Sequence, residues 1–227
     1  MVYIAGVDEA GRGPLIGDLF MVMIVLDEEQ EKFLKNLGVK DSKKLSRSKR
    51  EELFKFIISS AETLIVSRLT PGDIDRENLN YLELKTLCKI LIKGFNIARI
   101  DKVYIDAFAD PIKISNFLRQ CSKRIDLGKI VAIYKADNMY TVVGAASIVA
   151  KVLRDRHIEI LKKMYGDFGS GYPSDRSTIE WLKSYYQKYR ALPPIIRKSW
   201  KIVENVLGHG NALNKYIYRK DSEASQH

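Results

Sequence analysis

The run Leu19 to Leu26 (LFMVMIVL) places eight apolar side chains in succession with no polar one among them. Alternate residues of a strand face opposite sides, so such a strand is apolar on both faces and lies inside a sheet covered on both sides. A second apolar run, Val2 to Val7, precedes it across a glycine-rich connection, and so short a link favours an antiparallel pair. Ser48 with Glu51 three positions later reads as a capping box for a helix carrying Leu53, Phe54, Ile57 and Ile58. Thr63 to Leu69 reads as a third strand, and Leu79, Leu82, Leu87, Ile90 and Leu91 mark the apolar face of a longer helix. Beyond it the chain alternates: strand 102–106, helix 111–122, strand 129–135, and a long helix from about 141 to 165. Strands separated by helices pair in parallel through right-handed crossovers. The expectation is an α/β fold with a mixed five-stranded sheet, antiparallel at its start and parallel at its finish, flanked by helices. No repeat or low-complexity linker divides the chain, so residues 1–200 are expected to form one domain, with 201–227 a C-terminal helix and flexible tail.

The net charge is +10, and it is unevenly placed: residues 1–150 hold 23 basic and 20 acidic side chains, residues 151–227 hold 15 and 8. A basic final third suits a polyanionic partner, because lysine and arginine displace counterions from phosphates; a merely solvated surface has the same balance. The longest uncharged stretches, Leu19 to Leu26 and Thr141 to Ala150, fall short of the ~20 apolar residues that cross a bilayer. No basic flank leads into an apolar run after Met1, so a cytoplasmic protein with no membrane association is expected. Cys88 and Cys121 belong to no Cys/His cluster, which argues against a disulfide scaffold or a zinc module, and both are expected as free thiols.

Acids recur where the apolar runs end. Asp8 and Glu9 close the first, Asp106 follows Val103 to Ile105, and Asp137 follows the fifth. An ionised carboxylate there needs partners or a metal. If strands one, four and five are parallel neighbours, their carboxyl ends meet where open α/β sheets place their sites. Acids this close repel unless protonated or bridged by a cation, and an all-oxygen set suits Mg²⁺ or Mn²⁺ rather than zinc. Adjacent strand residues point to opposite faces, so Asp8 and Glu9 share one metal site only if the strand bends or ends between them.

The most specific segment is Asp8 to Gly17 (DEAGRGPLIG). It is not a dinucleotide fingerprint, because a strand follows Gly11 and Gly13 and the third glycine comes too late. Its glycines would let the backbone approach a ligand, with Arg12 a cation beside the carboxylates; a structural tight turn would use glycine equally. On the long helix Ser147, Lys151 and Asp155 recur every four residues. That spacing suits Ser147 and Lys151 on substrate phosphate with Asp155 orienting the lysine, and equally an ordinary Lys/Asp surface pair. Lys43 and Lys44 reach phosphate from their loop or are simply solvated. Trp181, Tyr185, Tyr186 and Tyr189 have the spacing of helix packing, and His157, His209 and His227 are read as bystanders. The residues alone leave open a nuclease or an integrase built on this sheet, or a non-catalytic nucleic-acid-binding protein that uses the basic third alone.

Six motifs narrow this: DEAGRG at 8–13, DSKKLS at 41–46, YIDAF at 104–108, KAD at 135–137, AASIVAKVLRD at 145–155 and GSGYPSD at 169–175. In order and spacing the chain resembles type 2 ribonuclease H, ribonuclease HII, over residues 1–200, and most of all its archaeal form. The resemblance implies a ribonuclease H-like fold with a helical C-terminal part. It implies an endonuclease that hydrolyses the RNA strand of RNA/DNA hybrids and cuts at single ribonucleotides embedded in duplex DNA. Two-metal-ion catalysis would leave 3′-hydroxyl and 5′-phosphate ends. It further implies Asp8, Glu9, Asp106 and Asp137 as catalytic acids holding Mg²⁺ or Mn²⁺, Gly11, Arg12 and Gly13 as the ribonucleotide-sensing turn, and Tyr172 as a stacking residue near the scissile junction. Lys43, Ser147 and Lys151 would complete the substrate contacts. Asp18 departs from the pattern, since many members have proline there. Archaeal relatives can carry a sliding-clamp box, of which residues 210–227 hold no clear copy, and a monomer is expected.

Overall fold

A computed structural model of the chain describes residues 1–39, 45–123 and 125–207. Strands β1 (Tyr3–Ala10) and β2 (Leu19–Asp27) pair antiparallel, from Tyr3 opposite Asp27 to Ala10 opposite Phe20, as the short link predicts. All of Leu19 to Leu26 is buried. β3 (Thr63–Leu69) continues the antiparallel side against β2, while β4 (Lys102–Asp106) lies parallel to β1 and β5 (Ile130–Ile133) parallel to β4. The five-stranded order is β3-β2-β1-β4-β5. Val7 pairs with Ile105, so the next residues of the two strands, Asp8 and Asp106, emerge side by side at their carboxyl ends.

Helices cover both faces. On one side α4 (Leu79–Ile97) and α5 (Pro111–Cys121), with the short α3 (Pro71–Ile74), pack against Ala5, Val7, Met21 and Met23. On the other, α1 (Glu28–Asn36), α2 (Arg47–Ser60) and α6 (Thr141–Tyr165) bury Val22, Ile24 and Leu26. α6 rests directly on β1: a Cβ at Gly6 would stand 2.4 Å from the Val142 carbonyl, an approach only glycine admits. A third apolar cluster lies beyond the sheet, where Leu15 and Ile16 meet Phe168, Leu182 of α7 (Arg176–Tyr189), Ile196, and Val203 of α8 (Lys201–Leu207). The C-terminal helices thus have a core of their own. Trp181 packs edge-on to Phe168 and donates from its indole to the Tyr165 carbonyl at 3.1 Å, in line with a packing role for that aromatic series. No helix among the described residues is long and apolar enough to cross a membrane.

Two expectations are corrected. α2 begins at Arg47, which puts Ser48 and Glu51 inside the helix; Ser46 is the cap, accepting from the Lys49 N–H at 3.2 Å. Cys88 and Cys121 are joined in a disulfide, because α4 and α5 pack side by side and bring the two Cα atoms to 6.6 Å. A separation of 33 positions gives no sign of that contact.

Candidate active site

Sheet register and one turn assemble the acids. Asp8 and Asp106 come from β1 and β4, and Asp137 sits in a single helical turn before α6, reached through Lys135 in the left-handed region at φ 60°. One carboxylate oxygen from each of Asp8, Asp106 and Asp137 lies within 4.8 Å of the other two. Asp106 accepts from the Ala136 N–H at 3.1 Å, which ties the Asp137 turn to the end of β4. Burial pushes the Asp8 carboxyl up to about 7, aided by the charge of Asp106 and opposed by a hydrogen bond from Ser147 and the field of Lys151. Three crowded carboxylates, two of them buried and Asp106 half-buried, with only oxygen donors fit a divalent cation such as Mg²⁺ or Mn²⁺, whose charge would relieve that repulsion.

Glu9 is not one of these three, although the charge of Asp106 reaches it and helps to raise its carboxyl. β1 does not bend after Asp8; Glu9 and Ala10 keep their places opposite Met21 and Phe20, so the pleat sends Glu9 to the other face. There it meets Glu83 of α4, and burial together with that second acid holds its carboxyl well above the ordinary range. Glu83 is fully buried and burial likewise pushes it up to about 7, against the pull of Arg12, whose Nη1 lies 3.2 Å from its Oε2 and 4.0 Å from Glu9. The same guanidinium donates to the Phe108 carbonyl at 3.0 Å and to Asn80. Arg12 is therefore the cation beside the carboxylates that the sequence suggests. Sequence reasoning missed Glu83, although its place four residues after Leu79 on the buried stripe of α4 was a signal.

The turn after β1 is fixed from several directions. Gly11 has φ +94°, and a Cβ there would meet the Asp18 carbonyl at 2.5 Å. Leu15 and Ile16 N–H groups donate to the Gly171 carbonyl at 2.8 and 3.1 Å, so the loop bearing Tyr172 is fastened to the turn. The Tyr172 ring lies beside Gly13 and under the Arg154 guanidinium, 5.3 Å from its centroid, and remains 39% exposed, open to a ligand. Arg197, also missed in the sequence, donates to the carbonyls of Gly11, Arg12 and Gly17.

On α6, Lys151 donates to the Ser147 hydroxyl at 2.8 Å. Ser147 is fully buried, whereas Lys151 is only partly so. Asp155 does not orient the lysine as expected: Arg50 at 3.1 Å and Arg154 at 3.2 Å draw it away. Asp18 lies outside the acid cluster. Burial would raise its carboxyl, but hydrogen bonds from His157 and Arg68 outweigh that and hold it below the usual range. Lys43 and Lys44, most of the 41–46 motif, His209, His227 and residues 210–227 lie outside the described residues.

A family model described as Ribonuclease HII matches residues 5–203. Ribonuclease HII of Sulfurisphaera tokodaii is 44% identical, over 94% of this chain and 98% of its own. The crystal structure of the ribonuclease H2 from Pyrococcus horikoshii superimposes with a TM-score of 0.83 at 42% identity, over 90% of this chain and 97% of that one. An Archaeoglobus fulgidus ribonuclease HII, solved in complex with PCNA, gives 0.78 at 36% identity over 93% and 99%.

Proposed function

This chain belongs to the ribonuclease HII family and is an endoribonuclease that cleaves the RNA of RNA/DNA hybrids, and we propose that it also cuts duplex DNA at single embedded ribonucleotides. Asp8, Asp106 and Asp137 are catalytic acids that would hold two divalent cations, Mg²⁺ or Mn²⁺; Glu9, on the other face of β1 but within the field of Asp106, is proposed as the fourth acid on the resemblance alone. The observation that carries this reading is the convergence of Asp8, Asp106 and Asp137 within 4.8 Å at the ends of parallel strands. Bound there, the cations supply Lewis-acid stabilisation of the phosphate and an activated water, and the products carry 3′-hydroxyl and 5′-phosphate ends.

The remaining roles belong to the protein's own side chains. Lys151 is held against Ser147 beside Asp8 and pairs with a substrate phosphate. Gly11, Arg12 and Gly13 present backbone groups to the 2′-hydroxyl, which alone separates a ribonucleotide from DNA. Tyr172 stacks near the junction. Lys43 is proposed as a further phosphate contact on the resemblance alone. The Archaeoglobus relative's complex with PCNA supports a sliding-clamp contact, and we place the protein in the cytoplasm as a monomer.

Incubation with a duplex containing one ribonucleotide tests the proposal. Cleavage should need Mg²⁺ or Mn²⁺, stop with a chelator, and not return with Ca²⁺, whose looser coordination fits poorly. A duplex left intact while a continuous hybrid is cut would restrict the chain to hybrids.

A further inference from the structure

Arg197 has no solvent exposure, which is unusual for so polar a cation. Its Nε donates to the Gly17 carbonyl at 3.0 Å, Nη1 to Arg12 at 2.8 Å, and Nη2 to Gly11 at 2.5 Å and to Gly17 at 2.9 Å. The planar fork is met by carbonyl oxygens from both ends of one turn. Its own backbone is pinned as well: Arg197 N–H donates to the Leu15 carbonyl at 3.0 Å, Ile196 bridges Ile16, and the Trp200 ring lies 5.1 Å from the guanidinium carbon.

The trans peptide makes this informative. A carbonyl and the N–H of the next residue point in opposite directions across the peptide plane. With the Gly11 and Arg12 carbonyls turned inward to Arg197, the N–H groups of Arg12 and Gly13 are directed away from it. Away from a wholly buried group is toward the surface, and burial falls along the turn from buried Gly11 through intermediate Arg12 to exposed Gly13. Two successive donors facing outward form a concavity suited to an oxygen ligand.

We infer that Arg197 is a positioning residue for ribonucleotide recognition, which sets the Gly11–Gly13 turn so that its N–H groups face the substrate sugar. This rests on the proposed reading of the turn. Lysine keeps the charge and has three donors, but they radiate from one nitrogen on a shorter stem, so it cannot meet carbonyls that three separate guanidinium nitrogens reach.

The test compares kcat/KM on a duplex containing one ribonucleotide with kcat/KM on a continuous hybrid, for the parent, Arg197→Lys and Gly13→Ala. A single ribonucleotide offers one 2′-hydroxyl for the turn to read, whereas a hybrid offers many. Arg197→Lys should fold, lose roughly tenfold or less on the hybrid, and lose about 100-fold on the single ribonucleotide. Gly13→Ala folds in the ordinary contact distance of 3.5 Å that its methyl group would have to Tyr172, and should shift the ratio in the same direction. If Gly13→Ala shifts the ratio and Arg197→Lys does not, the role of Arg197 is overturned and the turn reading stands. An unchanged ratio in Gly13→Ala sinks the turn reading and this inference with it. An Arg197→Lys protein that fails to fold assigns the guanidinium to folding alone.

Discussion

Asp8 and Gly11 are three positions apart, yet what holds the acid cluster differs from what holds the turn that follows it. The acids are placed by strand register, with Val7 opposite Ile105, and the sheet supports them whatever their charge. That placement is electrostatically unfavourable, as the rise of Asp8 to about 7 shows. The turn is placed by hydrogen bonds from distant segments, and its buried cation is satisfied by carbonyls from Gly11, Arg12 and Gly17. One region is rigid and short of positive charge; the other is complete in itself but depends on its cross-links. A sheet can hold groups that repel one another, whereas a loop holds only what its own bonds favour.

The largest effect should come from the acid side. Asp106→Asn removes a ligand charge and should lower cleavage by roughly a thousandfold or more, while hybrid binding persists or tightens as repulsion of phosphate falls. Undiminished activity at saturating Mg²⁺ would break the contrast at its root. The electrostatic half is tested by melting the metal-free protein between pH 4 and pH 9. The folded Asp8 carboxyl holds its proton up to about 7 and the unfolded one only to 3.8, so its contribution is full below 3.8 and is lost as pH rises through 7. Asp8→Asn should therefore exceed the parent in stability by something on the order of 1–4 kcal/mol above pH 8, with the gap closing toward pH 4 and on addition of Mg²⁺. A gap independent of pH would show that Asp8 is not strained.

Smaller effects belong to the loop side. Tyr172→Ala should lose the stacking contribution of ~1–3 kcal/mol, about five- to 150-fold in rate, while Tyr172→Phe keeps the ring and most of the activity. Equal losses for the two would assign the role to the hydroxyl. Least of all, Lys151→Ala should make the slope of log K against log salt shallower by roughly 0.7 to 0.9, with little change in stability. An unchanged slope leaves Lys151 as a partner of Ser147 and nothing more.

The sheet was legible because its signals are local. Leu19 to Leu26, Thr63 to Leu69 and Lys102 to Asp106 are strands at the expected places, and the antiparallel-then-parallel order follows from link length. The acids at strand ends were legible for the same reason, and the roles proposed for them come from the resemblance to the ribonuclease HII motifs. What escaped depends on which helix faces which. Glu83 opposite Glu9, Cys88 against Cys121, and Asp155 diverted to Arg50 and Arg154 are contacts between elements, invisible to periodicity. Arg197 is the extreme case, since in sequence it is one more cation in a basic third.

Arg197 reaches its partners across 180 to 186 positions of chain. The buried residues of both clusters that face the sheet end at Val152. During synthesis a chain that has emerged through Val152 can bury both faces of the sheet and bring its acids together while its turn is still untethered. At 5–20 residues per second the stretch to Arg197 follows roughly 2–9 s later. A nascent chain therefore gathers its acids before the turn that follows them is tied down, and a ribosome stalled between the two would present the first without the second.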